Sequence, residues 1–322
     1  MRRQRWFVYL YGPIAFLVLI VSEDLLFKGV VWVKEWFYLL TWWPYIFLVD
    51  WVVKMKQGES LLMDRTRYFF SLIPASTFIW LIFEWFNLTL RNWHYVHLIS
   101  CLPLRWMGYF ISFGTVLPAI FETYELLSSF GVLSEASLST PQDIRGLYPL
   151  FIVVGILSLS LTLSYPHYFF ALVWVAFVFL LDPMLHSMGF PSLLEEVERG
   201  RAQKIYLILL SGLICGILWE FWNFWALSKW IYTVPLVGRF KLFEMPILGF
   251  LGFPPFALEC YCITSFLGIF FPSLRWERRE YPSVEFSLGV PYKRGLLLLG
   301  LIIFYILMFH AIDTHTVLSF AS

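Results

Sequence analysis

The sequence predicts an all-α polytopic membrane protein: a bundle of about nine transmembrane spans arranged as two tandem four-helix repeats in parallel orientation, plus one leading helix. Three observations carry this reading. Of the 322 residues, 60% are hydrophobic and only 14% charged, against roughly 45–50% and 25% in soluble domains. A soluble fold of this length could not hide so much apolar surface. The apolar residues also fall into nine stretches, each near the ~20 residues that a helix needs to cross a bilayer, and the charges are sorted between these stretches and their connections. Disorder is excluded by the same composition, and four cysteines are too few for a disulfide scaffold. With 23 bases against 22 acids there is no basic excess to attract nucleic acid.

In chain order the predicted spans are Trp6–Ser22, Phe37–Val53, Tyr68–Leu90, Trp106–Phe130, Tyr148–Tyr165, His167–Leu185, Ile205–Leu227, Met245–Phe271 and Gly295–Ala311. The first follows Met-Arg-Arg-Gln-Arg in the manner of a signal peptide. No small-x-small cleavage site comes after it, and Ser22-Glu23-Asp24 ends the apolar run, so a retained signal anchor is expected. Basic residues favour cytoplasmic loops. With the N-terminus inside, 16 of the 23 Lys and Arg fall on the cytoplasmic side, from Arg2, Arg3 and Arg5 through Lys54, Arg65 and Lys204 to Lys293 and Arg294. An odd number of spans preserves that alternation and places the C-terminus outside, as in a multi-pass protein of the cell (inner) membrane. The 16 Trp and 17 Tyr gather near span ends, where interfacial anchors belong.

One pattern occurs twice. The first copy reads Asp50-x9-Ser60-Leu61-Leu62, then Glu84-Trp-Phe-Asn87, then Trp93-x-Tyr95, then Pro118-x3-Glu122. The second reads Asp182-x9-Ser192-Leu193-Leu194, then Glu220-Phe-Trp-Asn223, then Trp230-x-Tyr232, then Pro255-x3-Glu259. The offset is 132 for the first block, 136 for Glu-x-x-Asn and 137 thereafter, so two small insertions explain all the drift. The expected divisions are an anchor helix and loop over 1–35, a first unit over 36–165 and a second over 166–322. Four spans per unit make both units cross the membrane in the same sense, related by an axis along the membrane normal.

Seven acids lie within the spans as drawn, with no Lys or Arg among them: Asp50, Glu84, Glu122, Glu125, Asp182, Glu220 and Glu259. Intramembrane acids usually face a bundle interior or a water-filled path. These must be protonated, hydrogen-bonded, hydrated, or matched by a cation or a loop base. Glu84 and Asn87, like Glu220 and Asn223, stand three apart on one helical face, so the amide could orient its Glu or touch the same ligand. Pro118 and Pro255 each free a carbonyl one turn before Glu122 and Glu259. Gly108, Gly114, Gly249 and Gly252 would let helices approach closely. Bland roles stand beside these: Glu–Asn pairs staple bundles by hydrogen bonds, Trp-x-Tyr pairs anchor at interfaces, and Asp50 and Asp182 fall where a cap would. Glu125 lacks a counterpart and reads as structural. His94-x-x-His97, the His310/Asp313/His315 triplet and Cys260-x-Cys262 lack the spacing of a metal centre. No metal and no cofactor are expected.

The succession of Trp-x-Tyr and Pro-x3-Glu, twice in one chain, is similar to the tandem helical repeats of integral-membrane lycopene cyclases. That resemblance covers about 40 residues per copy. It implies catalytic acids at Glu220 and Glu259 and at Glu84 and Glu122, with Trp230 and Tyr232, and Trp93 and Tyr95, beside the substrate. The departures are Pro-x-x-x-Glu in place of Pro-x-Glu-Glu, and four spans per unit rather than three. Independently of it, symmetric acids among dense aromatics suit protonation of an alkene, because aromatic faces stabilise the ensuing cation. The expected function is therefore an enzyme that cyclises, isomerises or hydrates a lipid-soluble isoprenoid. Its catalytic candidates are Glu84, Glu220, Glu122, Glu259, Asp50 and Asp182, and its substrate-binding candidates Asn87, Asn223, Trp93, Trp230, Tyr95 and Tyr232. The alternatives are a proton- or cation-coupled transporter and a non-catalytic membrane scaffold. The expected partners are the lipid bilayer and a hydrophobic small molecule, with oligomeric state left open.

Overall fold

The structure, a computed structural model, describes residues 5–139, 144–238, 240–282 and 291–317. Arg2 and Arg3, and the chain beyond 317, lie outside the described residues. Nine helical segments among those described are long and apolar enough to cross a membrane, from Phe7–Phe27 to Gly295–His315. The fold is the expected all-α polytopic bundle.

α1 (Arg5–Phe27) and α2 (Val31–Gln57) form an antiparallel hairpin. It turns at Gly29, whose φ of 78° is open to glycine at no steric cost. Gly58, at φ 80°, closes α2 by donating its N–H to the Lys54 carbonyl. The single turn α3 (Leu61–Asp64) is capped by the Ser60 hydroxyl, which accepts from Met63 N. It leads into α4 (Thr66–Leu90) and the short strand β1 (Trp93–Val96). The fourth span is two helices, α5 (Leu102–Phe113) and α6 (Val116–Ser129), broken at Gly114–Thr115.

After α7 (Tyr148–Ser164), the sixth span begins with α8 (Pro166–Phe169) and a 3-10 stretch before becoming α9 (Ala176–Ser187). The remainder retraces the first half. α10 (Leu193–Glu198) is capped by Ser192, and α11 (Gln203–Trp225) runs into β2 (Lys229–Tyr232). A small hairpin, β3 (Lys241–Leu242) with β4 (Met245–Pro246), and a 3-10 stretch over Ile247–Gly252 precede α12 (Phe253–Phe270). The last helix is α13 (Pro291–His315).

The two copies meet about a pseudo-two-fold axis. β1 and β2 pair antiparallel, with Trp93 opposite Tyr232 and Tyr95 opposite Trp230. Exchanging repeat-equivalent residues maps this ladder onto itself, so the axis passes through it. α2 lies on α6 as α9 lies on α12, and α1 lies along α2 as α7 lies along α9. The duplication can thus be divided at 36–165 and 166–322, or one span earlier. In the earlier frame α1 and α7 are equivalent, and α13, which packs on α4, stands outside both units.

Close helix approach occurs at one expected glycine, Gly114, where a Cβ would meet Ile73 Cγ2 of α4 at 2.9 Å, and at two others. A Cβ at Gly212 would meet the Phe253 carbonyl oxygen at 2.5 Å, and one at Gly216 the Phe253 ring at 2.2 Å, so these two glycines seat α11 on α12. Gly108 and Gly252 face only tryptophan rings, 3.6 Å from where a Cβ would stand. The core is aromatic, and the fully buried Trp42 packs on Trp222 at 4.9 Å and Trp219 at 5.5 Å between ring centroids.

Candidate functional site

Each Glu-x-x-Asn helix leads directly into its strand, and the Asn side chain holds that junction. Asn87 Nδ2 donates to the Trp93 carbonyl at 2.9 Å, while its Oδ1 accepts from Asn92 N at 2.9 Å and Trp93 N at 3.3 Å. Asn223 repeats this on Trp230, with Nδ2 to the carbonyl at 2.9 Å and Oδ1 from the amide at 3.0 Å. The asparagines therefore bind backbone and neither orient their glutamates nor face a ligand.

What each asparagine fixes is the reach of the strand side chains back to the glutamate. Glu84 Oε1 accepts from Trp80 Nε1 (2.9 Å), Trp93 Nε1 (3.0 Å) and the Tyr95 hydroxyl (2.5 Å). Glu220 Oε1 accepts from the Tyr232 hydroxyl at 2.9 Å. Both glutamates are fully buried, and the second oxygen of each has no hydrogen-bond partner. One of the two missing donors has a sequence cause, since the position equivalent to Trp80 is Gly216; the other does not, because Trp230, equivalent to Trp93, is present with its Nε1 unbonded.

Tyr95 and Tyr232 lie outside the spans. Burial, and then the neighbouring glutamate charge, push both hydroxyls well above the ordinary tyrosine range. They stay protonated and act as donors.

These groups share one cavity of about 590 Å³ beneath the β1–β2 ladder, bounded by both repeats. Trp80, Trp93, Tyr95, Trp219, Trp230 and Tyr232 all line it, along with Tyr38, Trp174 and Phe256. Ring contacts back the wall: Trp174 stacks on Phe83 at 5.1 Å and meets Phe256 edge-on at 5.5 Å. Polar groups reach the lining at Glu35, Arg105, Ser228 and Lys229. The glutamates sit one hydrogen bond behind the wall, and the tyrosine hydroxyls and indole N–H groups stand between them and the cavity. The Trp-x-Tyr pairs, whose ordinary use is interfacial anchoring, are here strand residues of a cavity wall.

The remaining expected acids do not join this cavity. Asp50 accepts from Tyr11 OH (2.7 Å), Ser60 Oγ (2.9 Å) and Leu62 N (2.8 Å), tying α1, α2 and α3 together at the opposite end of the bundle. Asp182 takes the Leu193 and Leu194 amides at 2.7 and 2.8 Å. Glu259 accepts from Phe177 N at 2.8 Å. Glu122 lies beside Asp50.

Two charges were misplaced by reading the sequence alone. Arg105 falls inside the fourth span, where Nε and Nη2 donate to the two oxygens of Asp313 at 2.8 and 3.0 Å. Asp313, which the sequence groups only with His310 and His315, also accepts from Trp106 Nε1 and the Tyr109 hydroxyl, each at 2.8 Å. It holds α13 to α5. Glu125 is matched by a loop base, Arg65, at 2.8 Å. No group of three His, Cys, Asp or Glu among the described residues could hold a metal ion.

Nothing in the sequence pointed to Trp80, Trp174 or Trp219 as wall residues. Their only signal was aromatic density near motifs that recur.

Fold and site together define a multi-pass helical membrane protein with an aromatic-walled cavity between two repeats. Beyond that class, no protein-family model, curated protein or solved structure matches the chain.

Proposed function

We propose that the protein is a membrane enzyme acting on a lipid-soluble isoprenoid, by cyclisation, isomerisation or hydration through proton transfer from a carboxylic acid. The observation that carries this reading is the cavity wall, where two equivalent Glu–Tyr pairs stand behind and within one aromatic surface. At the ~30 Å³ that a water-sized unit takes in a liquid, 590 Å³ accommodates about twenty carbons. That is a prenyl chain of diterpenoid length, or one end of a longer polyisoprenoid. A proton would pass from glutamate through its tyrosine hydroxyl to the alkene, and the cation would lie against indole faces, each worth up to about 2 kcal/mol when desolvated. The resemblance to lycopene cyclases points the same way.

A proton-coupled transporter is the second reading. It draws on a charged crevice of about 470 Å³ at the other end of the bundle, lined by Glu59, Arg65, Glu125, Lys204, Glu277 and Arg278.

Lipid extracts of a host with and without the protein discriminate the two. The enzyme reading expects an altered isoprenoid profile with wild type that reverts in Glu84→Gln and Glu220→Gln. Altered wild-type extracts that persist in both variants would refute it, and proton or solute flux in liposomes with unaltered extracts would favour the transporter.

A further inference from the structure

Glu122 is fully buried, yet neither carboxyl oxygen has a hydrogen-bond partner. A buried polar group left unmade costs on the order of 1–3 kcal/mol, and more if charged. Asp50 is the acid beside it, and its three donors are a phenol, a hydroxyl and a backbone amide rather than a base. The Tyr68 hydroxyl, 7% exposed and also without a partner, faces Glu122 and Glu125 from α4. One helical turn after Glu122, Glu125 lines the charged crevice in its ion pair with Arg65.

The second repeat serves as an internal control, because backbone amides bond both of its equivalent acids. Both Asp182 oxygens are taken by backbone amides, and Glu259 accepts from Phe177 N through one oxygen while the other has no partner. The place of Glu125 is filled by Cys262, whose thiol lies 3.7 Å from Asp182. Among the described residues, the first copy differs in having a carboxyl with neither oxygen bonded, a second carboxyl against it, and an acid one turn away at a polar opening.

We propose that Asp50 and Glu122 form a proton-binding pair, one proton held between two carboxyl groups, loaded from the charged crevice by way of Glu125. Two carboxyls sharing a dry site cannot both ionise readily, so one proton is retained. Loading breaks an O–H bond of hydronium in the crevice and forms one on Glu125. The proton then moves to the pair, leaving water in the crevice and Glu125 again a carboxylate. The groups that face the pair are Tyr11 from α1, Tyr45 from α2, Ser60 before α3, Arg65 and Tyr68 at the start of α4, and Glu125 from α6. Arg65, at the rim, is the base among these and is already paired with Glu125.

The test is infrared spectroscopy of the full-length protein in lipid nanodiscs, with no isoprenoid added, during transfer from H₂O to D₂O. Wild type is expected to show a carboxylic-acid C=O band that shifts in D₂O. The band should be lost in Glu122→Gln, kept in Glu122→Asp and in Glu259→Gln, and exchanged roughly tenfold or more slowly in Glu125→Gln, with each variant's melting transition confirming that it folds. Absence of the band in wild type, or its survival in folded Glu122→Gln, would overturn the site. Exchange of Glu125→Gln at the wild-type rate would overturn the route. Loss of the wild-type band when sodium replaces choline at constant ionic strength would overturn the proton as occupant and identify an alkali cation. None of these outcomes depends on the cavity's ligand, so failure here leaves the isoprenoid reading standing, and the converse holds.

Discussion

Replacing Asn87 with alanine should loosen the wall of the cavity without touching the cavity itself. The side chain is fully buried and makes two bonds of 2.9 Å and one of 3.3 Å to the backbone at residues 92 and 93. Its removal orphans the Trp93 carbonyl and the Asn92 amide outright, at about 1–3 kcal/mol each. The expected destabilisation is therefore about 2–6 kcal/mol, read as a fall in melting temperature on the order of 5 °C. Asn223→Ala loses two bonds rather than three and should fall by less. Thermal unfolding of the purified protein, followed by tryptophan fluorescence, measures both. Amide hydrogen exchange adds a local reading, because β1 should exchange faster in Asn87→Ala while α2 stays protected. If Asn87→Ala melts with wild type and β1 stays protected, the asparagine is not the clamp inferred here.

Tyr232→Phe should impair turnover on the order of tenfold more than Tyr95→Phe, measured as product in lipid extracts. Glu84 keeps the Trp80 and Trp93 N–H donors after losing its tyrosine, whereas Glu220 loses the hydroxyl that holds it; equal effects would refute the asymmetry. Asp313→Ala should cost about 3–5 kcal/mol, since it strips a bidentate partner from a mostly buried arginine. Limited proteolysis should then release α13 faster than from wild type. Gly212→Ala should destabilise by about 1–3 kcal/mol through the clash with Phe253 and Ala257. Gly300→Ala, with nothing within 4 Å, should be neutral or slightly stabilising by helix propensity, and thermal unfolding compares the two.

Legibility differed between the fold and the site. Spans were readable because bilayer thickness imposes a length, and composition changes sharply at each boundary. The motifs Glu-x-x-Asn and Trp-x-Tyr were readable as a duplication, and they do meet, but in roles that spacing could not assign. Three residues apart on a helix puts Glu84 and Asn87 on one face. It does not say that the asparagine turns to the following strand while the glutamate turns to indole and phenol groups. Arg105 was assigned outside its span because the apolar run reads as starting at Trp106, while the helix itself begins at Leu102. Its partner Asp313 lies 208 residues away, a separation that leaves no local trace.

By itself the sequence determined the class of protein, the number of spans, the duplication and the acids that recur within it, because each is set by composition or by recurrence along the chain. Only the tertiary structure decided which acids act together. The β1–β2 ladder brings Trp93 opposite Tyr232 and Tyr95 opposite Trp230, gathering two distant motifs over one cavity. Packing of α2 on α6 sends Asp50 and Glu122 to the other end of the bundle, beside a charged opening. The physical reason is that hydrogen-bond completion is a property of the folded surroundings. Equivalent carboxyls in two copies of one pattern are bonded or left open according to neighbours that the pattern does not contain.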